Sequence, residues 1–165
     1  MVINIRKILW PTDFSEAASA AERYVISFSQ RYGAEVHLVH VVEDLTRYEH
    51  YWGSGPDPKH LHDLQEFIMR MARERLTELC QHRLTECPRY QIHSLLGDPA
   101  KEILETAQVI GADLIVIATH GMKANFPFGS VAEKVIKNSP VPVLTVSPEL
   151  QTKALRKATD RALHT

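Results

Sequence analysis

The 165-residue chain is poor in cysteine and has no long apolar run. Its two cysteines, Cys80 and Cys87, have a spacing that fits neither a zinc knuckle nor a CxxC redox pair, so we expect two reduced thiols in a cytosolic protein. No stretch approaches the roughly 20 apolar residues of a membrane-spanning helix. Arg6 and Lys7 interrupt the first apolar run, which argues against a secretory signal. We predict a cytoplasmic protein without membrane contact.

An excess of one charge is also missing. Lys and Arg number 19 and Asp and Glu 20, which gives a formal net charge of -1. This balance favours neither nucleic acid nor an anionic membrane as a partner. His60 and His62 with Asp63 are a weak metal pattern, because an HxH pair needs further ligands. We therefore predict no metal site in the protein itself and no nucleic-acid partner.

The motifs of several large protein classes are absent too. After the first predicted strand, the chain reads PTDFSE where a dinucleotide-binding protein would have GxGxxG. The P-loop pattern GxxxxGK[ST] is missing, and no serine lies on a nucleophile elbow. No carboxylate pair is visible for acid–base work. We therefore expect a binding protein more than an enzyme.

What the sequence does contain is a regular alternation of strand and helix patterns. Strands are predicted at 7–10, 35–42, 90–96, 114–118 and 141–146, with helices over 16–32, 59–83, 99–110 and from 130. Five strands alternating with four helices require parallel pairing with right-handed crossovers. The predicted fold class is therefore α/β: a single-domain, doubly wound five-stranded parallel sheet of order 3-2-1-4-5, with helices on both faces. The domain covers 1–148, residues 43–58 form an excursion loop, and 149–165 form a basic amphipathic tail.

The stretch 113–146 indicates where a ligand would bind. An apolar strand, 114–118, leads into a loop that contains Gly121 and Gly129. Ser130 and Glu133 then resemble a capping box that opens a helix. The N-terminus of this helix would face the carboxyl end of the strand, where free backbone amides and the positive helix dipole favour a phosphate.

In the predicted topology, the switch point between the first and fourth strands brings this loop beside Pro11, Thr12 and Asp13. Either Asp13 or Ser15 caps the helix that follows. Asp13 therefore has two interpretations: a helix cap, or an acceptor for a base amino group or a ribose hydroxyl. His120 also has two, as a phosphate contact or as a residue that stabilises the loop. The sequence leaves these alternatives open.

The last strand has the features of a sheet edge. Pro140 and Pro142 lack N–H groups, which suits an edge better than the middle of a sheet. An edge that carries Val141, Val143 and Val146 invites pairing with a second copy. We therefore predict a homodimer formed through this strand.

Several segments together resemble the universal stress protein family over residues 7–147: KILWPTDFSEAA, AEVHLVHVVE, GDPAKEIL, ADLIVIATHG and GSVAEKVIKNSPVPVLTV. The resemblance implies a five-stranded α/β sheet, homodimers through the last strand and a cytoplasmic role in stress tolerance. It also implies ATP or AMP as a possible ligand, with Mg²⁺ or Mn²⁺ held through the phosphates. By this resemblance the adenosine moiety would contact Pro11, Thr12 and Asp13, with Val41 meeting the adenine through its backbone. The ribose and phosphates would contact Gly121, Gly129, Ser130 and Val131.

The chain departs twice from the family's ATP signature, which is Gly, two residues, Gly, nine residues, then Gly-Ser or Gly-Thr. Ala118 stands at the first glycine, and seven residues separate Gly121 from Gly129. A methyl group at Ala118 restricts the backbone, and Pro127 removes one N–H donor from the shortened loop. We predict weak or altered nucleotide binding.

Two functions follow from these observations. The first is a nucleotide-responsive binding module that acts in the stress response. The alternative is a nucleotide-independent dimeric interaction protein that uses the loop 43–58 and the basic tail. An enzyme is the weakest class, with at most slow ATP hydrolysis, since neither a loop lysine nor a base to activate water is visible.

Overall fold

The computed structural model describes residues 3–47, 57–120 and 128–148, and these form a three-layer α/β structure around one parallel sheet. Its strands are β1 (Lys7–Pro11), β2 (Glu35–Val42), β3 (Arg89–Leu96), β4 (Leu114–Ala118) and β5 (Val143–Val146). Their order is β3-β2-β1-β4-β5, and all four pairings are parallel. The predicted fold class and strand order are therefore confirmed. The tail 149–165 and most of the predicted loop lie outside the described residues.

Five helices lie in the described part of the chain: α1 (Glu16–Ser19), α2 (Glu22–Tyr32), α3 (Pro58–Arg83), α4 (Pro99–Ile110) and α5 (Ser130–Asn138). The sequence predicts one continuous helix where the structure has α1 and α2. The amides of Ala20 and Ala21 bond to carbonyls three residues back, at 3.2 and 3.3 Å, which tightens and ends α1. A new helix then starts with Ala21, which is fully buried, at its N-cap.

The sheet has a hydrophobic core on each face because successive strand residues point to opposite sides. On one face, strand residues such as Ile8, Trp10 and Leu38 pack with Val25 of α2 and Leu76 of α3. The other face has a separate cluster, formed with α4 and α5, that contains Leu9, Val39, Ile103, Ile115, Ile117, Ala107, Ala132 and Val135. Because helices cover both faces of the sheet, the central strands β1 and β4 are almost continuously apolar.

The ends of α2 and α4 are formed by the signals that the sequence shows. Gly33 and Gly111 follow these helices in the left-handed conformation, each with φ 64°. Asp98 caps α4, and its Oδ1 accepts a hydrogen bond from the Lys101 amide at 3.0 Å. Because α4 directly follows β3, its N-terminus, capped by Asp98, lies at the carboxyl edge of the sheet. The cleft described below lies at the same edge.

The last strand is an edge strand, as predicted, but it is shorter than predicted. β5 begins at Val143, so Pro140 and Pro142 precede the strand instead of forming part of it. Pro142 nevertheless takes part in the ladder, because its carbonyl accepts a hydrogen bond from the Ile115 amide at 3.0 Å. Val146 is only 5% exposed and packs in the core. Its side chain is therefore not available to a partner.

None of the helices in the described part of the chain is both long enough and apolar enough to cross a membrane.

Candidate ligand-binding site

A cleft of about 450 Å³ opens at the carboxyl ends of β1 and β4, on the side of the sheet that packs with α4 and α5. Four segments form most of its wall: the turn after β1, the end of β2, the end of β4 and the start of α5. Ile68 of α3 and Ile103 of α4 add apolar surface. The structure thus brings together the two segments that the sequence predicts to meet, and both contribute to one concave surface.

Nine of the ten residues predicted for the site line this cleft. They are Pro11, Thr12, Asp13, Val41, Ala118, His120, Gly129, Ser130 and Val131. The tenth, Gly121, lies outside the described residues. The sequence therefore predicts the lining of the cleft well, although lining alone does not assign a ligand contact.

Asp13 organises the turn from β1 into α1. Its Oδ1 accepts hydrogen bonds from the Ser15 amide at 3.0 Å and from the Ser15 hydroxyl at 2.5 Å. Ser15 is the N-cap of α1, and its Oγ accepts from the Ala18 amide at 3.1 Å. The interpretation of Asp13 as the helix cap is therefore wrong, because Ser15 is the cap and Asp13 supports it from outside the helix. Asp13 also lines the cleft, and its role as a ligand acceptor stays a prediction.

Phe14 holds an unusual backbone conformation directly after Asp13. Its φ is 62°, which is the left-handed region, and a side chain there costs about 1 kcal/mol or more. The Phe14 amide donates to the Thr12 hydroxyl at 3.1 Å, and the Arg75 guanidinium lies 4.7 Å from the centre of the Phe14 ring. These contacts hold the turn in a shape that the backbone alone does not favour.

His40 is a contributor to the site region that the sequence reasoning missed. The Nδ1 atom of its half-buried ring lies 2.8 Å from the Thr12 carbonyl oxygen. Because a carbonyl only accepts, Nδ1 carries the hydrogen and donates it. Burial lowers the pKa of His40 below its usual value of 6.5, an effect that the Thr12 hydrogen bond and the charge of Asp13 oppose. The sequence signal that could have indicated His40 is the presence of a titratable residue near the carboxyl end of an otherwise apolar strand.

The second wall starts where β4 ends. The Thr119 amide donates to the Val146 carbonyl at 2.9 Å, and the Gly129 amide donates to the Thr119 carbonyl at 2.7 Å. The Thr119 hydroxyl and His120 Nδ1 lie 2.8 Å apart. His120 thus makes a local contact of the kind expected from a residue that stabilises the loop; the phosphate alternative stays a prediction.

The capping box predicted at the start of α5 is wrong. Gly129, not Ser130, is the N-cap, and no side chain makes a cap hydrogen bond there. Ser130 is the first helical residue, and the Glu133 carboxylate instead accepts from Lys137 Nζ at 2.6 Å, one turn further along. Because glycine supplies no side-chain acceptor, the cap residue does not compete with a ligand for the first-turn amides.

Ala118, at the end of β4, is 6% exposed and lines the cleft. Carboxylates are scarce in the lining, which contains Asp13 and Glu43 among its described residues. No group of three or more His, Cys, Asp or Glu side chains suited to a metal ion occurs within residues 3–47, 57–120 and 128–148. The cleft is built from apolar surface, backbone amides and few acidic groups, which suits recognition of a small anionic molecule.

Comparison with known proteins gives the family. The sequence profile of the Universal stress protein family matches residues 4–147. The chain belongs to the universal stress protein family. Universal stress protein MJ0577 from Methanocaldococcus jannaschii is 30% identical over 158 residues, which cover 88% of this chain and 97% of the relative.

Solved structures of universal stress proteins share the fold. The structure of hypothetical protein MJ0577 matches with a TM-score of 0.76 at 28% identity, covering 88% of this chain and 97% of that chain. A universal stress protein from Archaeoglobus fulgidus, solved in complex with dAMP, matches with a TM-score of 0.59 at 24% identity and covers 88% of this chain and 99% of that chain. The second likeness shows the fold alone.

Proposed function

We propose that this universal stress protein is a nucleotide-responsive binding module that takes an adenine nucleotide, ATP or AMP, in the cleft between β1 and β4. The observation that carries this proposal is the convergence of the Pro11–Asp13 turn and the uncapped start of α5 on one cavity of about 450 Å³. Cavities of roughly 300 to 1,000 Å³ are typical of small-molecule sites. The bound nucleotide biases the order of the surrounding loops, and protein partners in the stress response respond to that order.

The base and the phosphates have separate positions in this proposal. Adenosine lies against Pro11, Thr12 and Asp13, where the apolar wall of Val41 and Ile117 offers surface for a planar base. The phosphates lie at Gly129, Ser130 and Val131, where helix amides and the dipole attract negative charge. A divalent cation, Mg²⁺ or Mn²⁺, enters with the phosphates.

Adenine nucleotides are the first ligands to test because a neighbour with the same fold is solved in complex with dAMP. At 24% identity, the nucleotide contacts of that neighbour are not assigned to individual residues of this chain. The assignment therefore depends on the geometry of this chain's own cleft, and we expect weak binding because the methyl group of Ala118 is part of the wall.

Titration calorimetry with ATP and AMP, each with Mg²⁺ or Mn²⁺, tests the proposal. We expect saturable binding that Gly129→Val abolishes, because a branched side chain at the N-cap covers the first-turn amides. Asp13→Ala removes a ligand contact and also the support of Ser15. Asp13→Asn is therefore the more informative variant, since its amide oxygen still accepts from the Ser15 amide while the charge is lost.

Two further variants sharpen the titration. Ala118→Gly restores the glycine of the family signature and is expected to tighten binding several-fold, at a cost of about 0.5 to 1 kcal/mol in stability for glycine in a strand. Asp63→Ala, at an exposed position of α3, is the matched control for Asp13 and leaves binding unchanged. No heat with any nucleotide up to millimolar concentration contradicts the proposal.

A second candidate function rests on the edge of the sheet: a dimeric interaction protein that needs no nucleotide. In the described sheet, β5 pairs with β4 and has no strand on its other side. An unpaired parallel edge is a template for a second copy. We propose a homodimer through this strand under either function. Dimers that bind partners but no nucleotide favour the second function.

A further inference from the structure

His40 lines the cleft and also contacts the turn beside it. Along β2, Leu38 packs in the core cluster shared with α2 and α3, whereas Val39 packs with α4 and α5. Since side chains alternate along a strand, the His40 side chain is on the same face as Leu38, and the side chain of Val41 is on the cleft face. The His40 side chain therefore reaches the Pro11–Ser15 turn from the face of the sheet that packs with α2 and α3.

From that side, His40 contacts the residue before Asp13 and the residue after it. Its Nδ1–H donates to the Thr12 carbonyl at 2.8 Å. Its ring lies against the Phe14 ring, with centroids 4.4 Å apart and planes tilted by 37°. Both neighbours of Asp13 are thus fixed by one side chain from a different strand.

The turn needs such support. Phe14 has a left-handed backbone that an L side chain rarely adopts, so the contact with His40 adds to those that the Thr12 hydroxyl and Arg75 make with Phe14. A shift at Phe14 would also move the Ser15 amide and hydroxyl, which bond to the Asp13 carboxylate. The orientation of Asp13 therefore depends on contacts made by His40.

We propose that His40 is a positioning residue of the nucleotide site, which holds the Thr12–Phe14 turn so that Asp13 presents its carboxylate to the ligand. This inference rests on the proposed function. Its effect on affinity passes through the turn, and the double-mutant cycle below separates this route from a direct contact across the cleft. The contact requires hydrogen on Nδ1, which then donates to the Thr12 carbonyl.

Two substitutions separate the parts of the contact. His40→Phe keeps a ring against Phe14 but has no donor for the Thr12 carbonyl. His40→Asn places an amide donor at the position of Nδ1 and so keeps the hydrogen bond. We expect His40→Phe to weaken AMP or ATP binding about ten-fold, the order expected for a lost hydrogen bond, and His40→Asn to stay within about three-fold of wild type. His62→Phe, at an exposed position of α3, is the control.

A double-mutant cycle with Asp13→Asn tests whether the effect passes through Asp13. We expect His40→Phe to cost little further affinity in the Asp13→Asn background. Amide hydrogen exchange provides a readout without ligand: Phe14 and Ser15 are expected to exchange faster in His40→Phe than in wild type or His40→Asn, at unchanged exchange in the central strands. A change in the central strands as well would mean general destabilisation and would overturn the assignment.

The outcomes are distinguishable. If wild type binds nucleotide and His40→Phe binds equally tightly, only the role of His40 is overturned. Additive effects in the cycle also overturn it, because His40 would then act independently of Asp13. If wild type binds no adenine nucleotide at all, the proposed function fails together with this inference.

Discussion

Single residues near the carboxyl edge of the sheet carry roles that their types alone do not reveal. Phe14 and His40 are ordinary in the sequence, one in a turn and the other in an apolar strand. In the structure their rings pack against each other at a tilt of 37°, beside the turn that contains Asp13. Sequence patterns predict Asp13 and Ser15 because caps have a local signature. They miss His40 because its partner Thr12 is 28 residues away.

A second histidine contact links β2 and β3. His37 Nδ1 and His93 Nε2 lie 3.0 Å apart, and the ring planes differ by 16° with centroids 5.2 Å apart. One ring must donate and the other accept, so the contact requires a neutral acceptor. His37 Nε2 lies 3.7 Å from the Glu35 carboxylate, and this favours the form with hydrogen on that nitrogen. His93 is then the donor to His37.

This pair predicts the pH dependence of stability. Burial lowers the pKa of His37 and of His93, and the charge of His93 lowers the pKa of His37 further. The unfolded chain, with histidine pKa values of about 6.5, therefore binds protons first as the pH falls. The stabilisation is complete above that pH and is lost as the pH falls toward the lower folded pKa values.

We expect the urea midpoint to decrease steadily below about pH 6.5. The slope of the urea midpoint against pH should be smaller in His93→Gln than in wild type. It should be unchanged in His82→Gln, a substitution at an exposed position of α3. The remaining slope in His93→Gln includes His40, whose pKa is also lowered by burial. Equal slopes in wild type and His93→Gln would contradict the prediction.

At the scale of whole elements, helix caps decide where a ligand has free donors. α4 and α5 both begin at the carboxyl edge of the sheet, yet only α4 is capped by a side chain, that of Asp98. The start of α5 has glycine as its N-cap, so its first-turn amides meet no acceptor from the cap residue. In the proposed nucleotide site, this difference favours α5 as the position of the phosphates.

Substitution of the α5 cap separates stability from binding. Gly129 has φ -69° and ψ 149°, which any L residue adopts, so Gly129→Ser is expected to place a hydroxyl acceptor on the first-turn amides. We expect the protein to gain a few tenths of a kcal/mol, about 0.3, while nucleotide affinity falls about five-fold. Chemical denaturation and calorimetry on the same samples measure both. Tighter nucleotide binding by Gly129→Ser would argue against a phosphate site at α5.

Strands and most helices could be predicted from the sequence because each has a local apolar period and clear end signals. The predicted and observed bounds of β2 and β4 agree, and Gly33 and Gly111 end their helices as expected. The break between α1 and α2 has no glycine or proline to mark it. The capping box at Ser130 is wrong because the cap is one residue earlier, at Gly129, and glycine and serine are both common N-caps. The apolar period marks the buried face of a helix more clearly than it marks the residue at which the helix begins or ends.

For the whole molecule, the proposed homodimer depends on the open edge at β5. Pro142 and Val146 direct their carbonyls to β4, so by alternation the amides and carbonyls of Val143 and Thr145 point away from the sheet. These outward groups are available to a second copy. The side chain of Val146 is buried in the core, so the backbone and not this valine defines the pairing.

Thr145→Pro is therefore expected to halve the solution mass, because it removes an outward N–H and adds a ring at the edge without removing a bond to β4. Thr145→Val keeps the amide and should remain dimeric. Analytical ultracentrifugation checks the mass of wild type and both variants, and thermal unfolding shows whether each is folded. A dimer that survives Thr145→Pro would place the interface elsewhere.

The hydrogen bond from the Gly129 amide to the Thr119 carbonyl, 2.7 Å long, joins the two residues that flank the sequence interval 120–128. Because this bond joins the end of β4 to the start of α5, the distance between these two elements does not depend on how many residues lie between them. Even a doubling of such an interval adds only about 0.6 kcal/mol in closure entropy. We therefore expect that changes in the length of this interval cost little stability, so that the ligand preference of the proposed site can be changed while the sheet and its helices are kept.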